Sequence, residues 1–186
     1  MRSSADRRGM RLSLPEEPRP SSSSARFSAC GAYRWWLLRQ WAPGRPRLLF
    51  IGLNPSSADA RREDPTLRRL VGFADRWGFG SLEVVNLFSA VAVAPDRLRQ
   101  LADPVGRRTD AWIARRAGAC AVQAIWLGWG RRGGFRQRDQ RILALLNRLG
   151  RGEDLRVVGL TATGQPRHPL YVRADRPWQP WAPAAS

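Results

Sequence analysis

Residues 48–53 read Leu-Leu-Phe-Ile-Gly-Leu, and Asn54-Pro55-Ser56 follow at once. An apolar run of strand length with no polar alternation must bury both its faces, which places it inside a parallel sheet covered on two sides. Pro55 disfavours the α region for Asn54, so the strand ends in a turn instead of feeding a helix. An uncharged amide is thereby held at the carboxyl end of a central strand, the rim where ligands bind in open α/β sheets. Asn54 is therefore the first candidate functional residue, with Gly52, Pro55 and Ser56 shaping the turn around it.

Strand-like and helix-like stretches alternate along the rest of the chain. Residues 33–41, aromatic and apolar, read as an edge strand or β-ribbon. Residues 65–77 carry Leu67, Leu70, Val71, Phe73 and Ala74 at helical spacing, with Pro65 in the first turn and Asp64 beside the N-terminus. Residues 82–88, 121–128 and 155–160 read as further strands, and 95–101, 107–118 and 136–149 as helices. This alternation predicts an α/β fold: a three-layer α/β/α sandwich on a central four-stranded, mainly parallel sheet. A length of 186 residues suits one domain, expected over 28–182. A disordered basic tail is expected over 1–27, where Ser-Ser-Ser-Ser at 21–24 follows a proline-rich stretch.

The formal charge is +17, and all 32 basic residues are arginine. That charge predicts an anionic partner, nucleic acid or nucleotide, and the guanidinium fork suits phosphate. A composition rich in Arg, Ala, Gly and Pro is also what GC-rich coding produces, which is an alternative source for part of the charge. Cys30 and Cys120 are too few and too distant for a disulfide framework or a thiolate metal site, which fits a reducing cytoplasm. No run approaches the ~20 apolar residues of a membrane span, and the N-terminal arginines precede no apolar signal region. Neither a Walker loop nor Gly-x-Gly-x-x-Gly is present, which argues against nucleotide hydrolysis and dinucleotide binding. A single histidine without a carboxylate cluster argues against zinc. Ser56 and Ser57 lack the Gly-x-Ser-x-Gly elbow of a serine nucleophile. No metal and no cofactor are expected.

Several strand ends carry notable residues. Asn86 lies near the end of the 82–88 strand, and Gly128-Trp129-Gly130 follows the next. The strand over 155–160 leads into Thr-Ala-Thr-Gly-Gln-Pro-Arg-His-Pro-Leu at 161–170. In a parallel sheet these ends share one rim, so Asn54, Asn86, Trp129, Arg167 and His168 should converge on one cleft. Trp129 between two glycines is hard to bury and offers a face on which a base could stack. The nearby carboxylates are Asp59, Glu63 and Asp64. Asp64 suits the helix N-terminus, whereas Asp59 is open between a structural role and that of a base or water-orienting group.

The chain resembles the uncharacterised DUF1643 domain family over about residues 30–182. The resemblance rests on Leu-Asn-Pro-Ser-Ser-Ala-Asp-Ala at 53–60, Asp-Pro-Thr at 64–66, Gly-Phe-Ala-x-Arg-Trp-Gly at 72–78 and Val-Val-Asn-Leu-Phe at 84–88. It continues through Asp-Pro-Val-Gly at 103–106 and Gly-x-Pro-Arg-His-Pro-Leu-Tyr at 164–171. More distantly the chain is similar to the uracil-DNA glycosylase superfamily. Some branches of that superfamily carry a Gly-x-Asn-Pro-Gly first motif, and several a His-Pro-Ser second motif. Gly52-Leu53-Asn54-Pro55-Ser56, Asn86 and His168-Pro169-Leu170 fall in the same order here. That similarity implies that Asn54 positions a water for attack on the sugar C1′ and that Asn86 reads the edge of a flipped base. It further implies that His168 stabilises the departing base anion, with Phe88 or Trp129 as a stacking face. Ser56 stands where those branches have glycine and Leu170 where they have serine, departures that count against simple uracil excision. Two readings of different kinds follow: an N-glycosylase-like enzyme acting on a nucleobase, and a non-catalytic nucleic-acid or nucleotide-binding module. A small-molecule enzyme of another class is a third, because fold does not fix function.

Overall fold

A computed structural model of the chain describes residues 18–56, 59, 64–91 and 94–182. Seven strands and three α-helices follow one another as β1 (Ser22–Phe27), β2 (Arg34–Gln40), β3 (Arg47–Gly52), α1 (Pro65–Arg76), β4 (Ser81–Asn86), α2 (Thr109–Ala117), β5 (Val122–Leu127), α3 (Arg138–Arg148), β6 (Leu155–Val157) and β7 (Gln179–Pro180). Short 3-10 turns lie at Pro95–Gln100, Gly130–Gln137, Gly152–Asp154 and Pro169–Tyr171.

The sheet is mixed and seven-stranded, in the order β1-β2-β4-β3-β5-β6-β7, where four strands were expected. β4, β3, β5 and β6 run parallel to one another, while β1, β2 and β7 add antiparallel pairs at the flanks. β1 overturns the end of the expected disordered tail, and residues 1–17 lie outside the described residues. Its Ser-Ser-Ser-Ala-Arg-Phe sequence has no apolar period; pairing with β2 from Ser22–Gln40 to Phe27–Arg34 makes it a strand. β2 therefore lies between β1 and β4; of the edge strand or β-ribbon expected over 33–41 it is the ribbon, antiparallel to β1. β6 stops at Val157, earlier than predicted, because the chain bends at Gly159 (φ +133) and Leu160 pairs only through a bridge to Pro166. The predicted helix over 95–101 is a 3-10 turn, and α3 starts late because Arg136 and Gln137 take left-handed φ values of 53° and 55°.

Side chains of β3 alternate between two cores. Leu49 and Ile51 join Val85, Ile125 and Leu127 beneath Ile113 and Ala117 of α2 and Ile142 and Leu146 of α3. Leu48 and Phe50 join Leu82, Val84 and Trp126 against Leu67, Leu70, Phe73 and Ala74 of α1. A strand with apolar layers on both sides is what the unbroken apolar run of β3 requires. Helix α1 starts at its N-cap Asp64, whose Oδ1 accepts the Leu67 N–H at 2.8 Å, a cap worth about 1 kcal/mol. On the α2 face of β4, Glu83 is fully buried (0% exposed). It accepts from Trp36 Nε1 and Arg47 Nη1, each at 2.8 Å, and from Nε and Nη2 of Arg116. Among the described residues no helix is long and apolar enough to cross a membrane.

Candidate functional site

The carboxyl ends of β3, β4 and β5 and the loop after β6 surround a pocket of about 430 Å³. Gly52, Asn54, Pro55 and Ser56 enter it from β3 and its turn, Asn86 from β4, Trp129 from beyond β5, and His168 from the last loop. Its floor is Phe50, which lies in register with Val84 on one side and Trp126 on the other. Two glycines make room for that ring. A methyl group on Gly52 would lie 2.9 Å from Phe50 Cε1 and 2.9 Å from Asn86 Oδ1, and one on Gly128 would lie 2.8 Å from Phe50 Cζ. Gly52 and Asn86 are register partners across the parallel pair, so the asparagine side chain occupies the space its neighbour leaves empty.

Asn86 is 3% exposed, and its Nδ2 has no hydrogen-bond partner among the described residues. A buried donor without a partner costs about 1–3 kcal/mol. Asn86 lines the pocket, so an acceptor seated against this donor would offset that cost. Asn54, at the turn, donates from Nδ2 to the Pro55 carbonyl at 3.2 Å.

His168 caps the Pro169–Tyr171 turn, its Nδ1 accepting the Leu170 N–H at 3.3 Å. A neutral ring with Nδ1 as acceptor carries its hydrogen on Nε2, which is then a donor. Burial pushes its pKa below the usual histidine value, so the neutral form prevails at pH 7. The turn is tied to α1 by Arg69, which donates Nε to the Pro169 carbonyl at 2.8 Å and Nη2 to that of Val172. Because the unfolded chain takes up the proton first, stability tied to neutral His168 is intact above the ordinary histidine pKa and falls as pH drops through the lowered one. Ligand binding that uses the neutral ring is expected to stay level across neutral pH and weaken in acid. A titration of wild type against His168→Gln checks this: the acid limb should disappear in the variant, and its persistence would assign it to another group.

Arg34 is buried at the pocket wall, where burial pushes its guanidinium pKa down to about 10. It remains a cation at neutral pH and reaches the Ser56 carbonyl with Nη1 at 3.5 Å. Arg131 adds a further cation, Arg132 is paired with Asp96 at 2.6 Å, and no carboxylate lines the pocket among the described residues. The local field therefore favours an anionic or electron-rich ligand.

Other candidates lie elsewhere. Trp129 is 1% exposed, contrary to the expectation that its flanking glycines would keep it open. The following turn folds over it: a methyl group on Gly133 would lie 2.9 Å from Trp129 Cγ. Its Nε1 donates to Gln165 Oε1 at 2.6 Å, and Gln165 Nε2 donates to Asp139 Oδ2 at 2.6 Å, so it forms a pinned wall. Phe88 is fully buried on the α2–α3 side, against Phe135 at a ring separation of 5.5 Å, and does not line the pocket. Phe50 supplies the aromatic surface there instead. Asp59 is also absent from the lining; its carbonyl oxygen accepts from Arg39 Nη2 at 2.5 Å. Arg167 is exposed and faces an adjoining hollow. Ser57 and Glu63 lie outside the described residues. Sequence reasoning missed Phe50, Arg34, Arg69 and Arg131. A charged residue opening the aromatic β2 run was the available signal for Arg34; Arg69 and Arg131 sit among many arginines and carried none.

Layered helices, a parallel strand core and a pocket at its carboxyl rim define an α/β protein, and in open sheets of this class that rim is where ligands bind. The chain belongs to the family described as protein of unknown function (DUF1643), whose model matches residues 34–170. That span takes in every pocket-lining residue except Tyr171. No curated protein and no solved structure matches the chain.

Proposed function

We propose that the rim pocket receives a nucleobase and that the protein is an N-glycosylase-like hydrolase acting on it. The observation that carries this reading is the buried, unpartnered Nδ2 of Asn86 beside the Phe50 ring. A flat ring with a carbonyl edge would stack on the phenyl group and accept from that amide. Asn54, at the pocket turn, would hold a water against the sugar C1′. The water oxygen bonds to C1′ as the C–N bond breaks, the electron pair leaves with the base, and the proton lost by the water passes to the base anion, giving the free base and a sugar hydroxyl at C1′. The Nε2–H of His168 would meet that developing negative charge, and such a donor is worth about 2.7–4 kcal/mol in comparable sites. The cations around the pocket favour the same anion.

The test is mass spectrometry of bases released from diversely modified DNA, with wild type set against Asn54→Ala. The variant is expected to release base at least about a hundredfold more slowly while folding and binding as before. Undiminished release by Asn54→Ala would remove Asn54 from the chemistry. The absence of any lining carboxylate among the described residues favours a second reading, a base-binding module without catalysis. Salt-sensitive binding with no base release from any wild-type reaction would select it.

A further inference from the structure

Beside the pocket lies a second hollow of about 260 Å³, walled by Arg131, Thr161, Arg167, His168 and Tyr171. Gly130, Arg131, His168 and Tyr171 line both, so the two spaces meet along that wall. No carboxylate lines this hollow among the described residues. Arg167 uses its Nε–H on the Leu160 carbonyl at 2.8 Å and makes no ion pair with a described residue. Arg131 likewise pairs with no described carboxylate, whereas the adjacent Arg132 is bound to Asp96 at 2.6 Å and Arg138 to Asp110 at 2.6 Å. Tyr171 leaves 79% of its surface open beside them. Arg131 and Arg167 wall this acid-free hollow, whose exposed lining is mostly apolar, and a guanidinium fork uncommitted to a carboxylate matches the oxygens of a phosphate ester.

We infer that this hollow is the phosphate subsite of the ligand whose base enters the pocket. The substrate is then a nucleotide unit, free or within a strand, and not a bare base or nucleoside. This rests on the base-pocket reading above. Arg131 and Arg167 take the phosphate, and His168 stands at the junction where the glycosidic bond would lie.

The test measures binding of the full chain, across a salt series, to three probe sets. They are the deoxynucleosides of adenine, cytosine, guanine, thymine and uracil, their 5′-monophosphates, and single-stranded DNA of mixed sequence containing all five bases. An Arg131→Gln/Arg167→Gln double variant is expected to lose about tenfold or more in affinity for phosphate-bearing probes. Its salt slope should fall by about 1 to 2, and its loss on the nucleosides, which carry no phosphate, should be smaller than on either phosphate-bearing set. Loss on both monophosphates and strands, or on strands alone, supports the subsite and distinguishes a terminal phosphate from a phosphodiester. Unchanged affinity and slope on every phosphate-bearing probe would overturn it, leaving the base pocket intact. Failure of the base-pocket reading is separately visible: Asn86→Leu would bind all three sets as wild type does. Arginine dependence would then mark a nonspecific anion surface, and the proposal would fall with that reading.

Discussion

Replacing Glu83 with alanine is expected to destabilise the protein by about 3–5 kcal/mol, the cost of breaking a buried ion pair by removing one partner. The carboxylate is wholly buried and takes hydrogen bonds from Arg47, Arg116 and the Trp36 indole, which join β2, β3, β4 and α2. Without it, two guanidinium groups and an indole N–H face one another across a gap in which only Arg47 keeps a side-chain acceptor, the Ser81 hydroxyl at 3.2 Å. In a domain of this size the loss corresponds to a fall of roughly 6–20 °C in melting temperature. Glu83→Gln, which keeps an acceptor and the side-chain volume, should lie between wild type and alanine. Thermal unfolding of the three proteins checks the order, and a shift below about 2 °C for alanine would show that the cluster contributes little. Glu83 and Asn86 project from opposite faces of β4, so the folded fraction of the variant should bind ligand normally.

The second large effect has the opposite character. Asn86→Leu is expected to reduce ligand affinity about a hundredfold while leaving the melting temperature unchanged or raising it by a few degrees. The wild-type Nδ2 is a buried donor with no partner among the described residues, so its removal relieves a desolvation cost in the empty protein. The same removal deprives a bound ring of the group that would read its edge. Stability and binding moving in opposite directions is the mark of a residue kept for a ligand. Loss of both together would instead mark Asn86 as a structural residue. Mononucleotide titrations paired with thermal melts decide between the two.

The parts of this architecture that could be read from the chain are those set by short-range chemistry. The apolar run of β3 ends where Asn54-Pro55 forbids helix, and α1 starts at the Asp64 cap with Pro65 behind it. Both follow from backbone sterics and a local hydrogen bond, so neighbouring residues suffice to show them. β1 and β7 were hidden for the converse reason. Ser-Ser-Ser-Ala-Arg-Phe and Gln179–Pro180 have no period of their own and become strands only by pairing with β2 and β6. The aromatic residues of the site were misplaced for a related reason. Whether Phe88 or Phe50 faces the pocket depends on which core each side chain joins, and Trp129 disappears beneath a turn formed by residues that follow it.

Local sequence was thus enough to place an amide at a strand end, a helix behind it, and a lone histidine in a loop near the same rim. Tertiary structure alone set Gly52 opposite Asn86, floored the pocket with Phe50, and fastened the His168 turn to α1 through Arg69. Strand register and burial arise from contacts between segments far apart in the chain. A side chain is left without a partner only once every other element has taken its place, which is why the unpaired amide of Asn86 becomes visible only in the folded molecule.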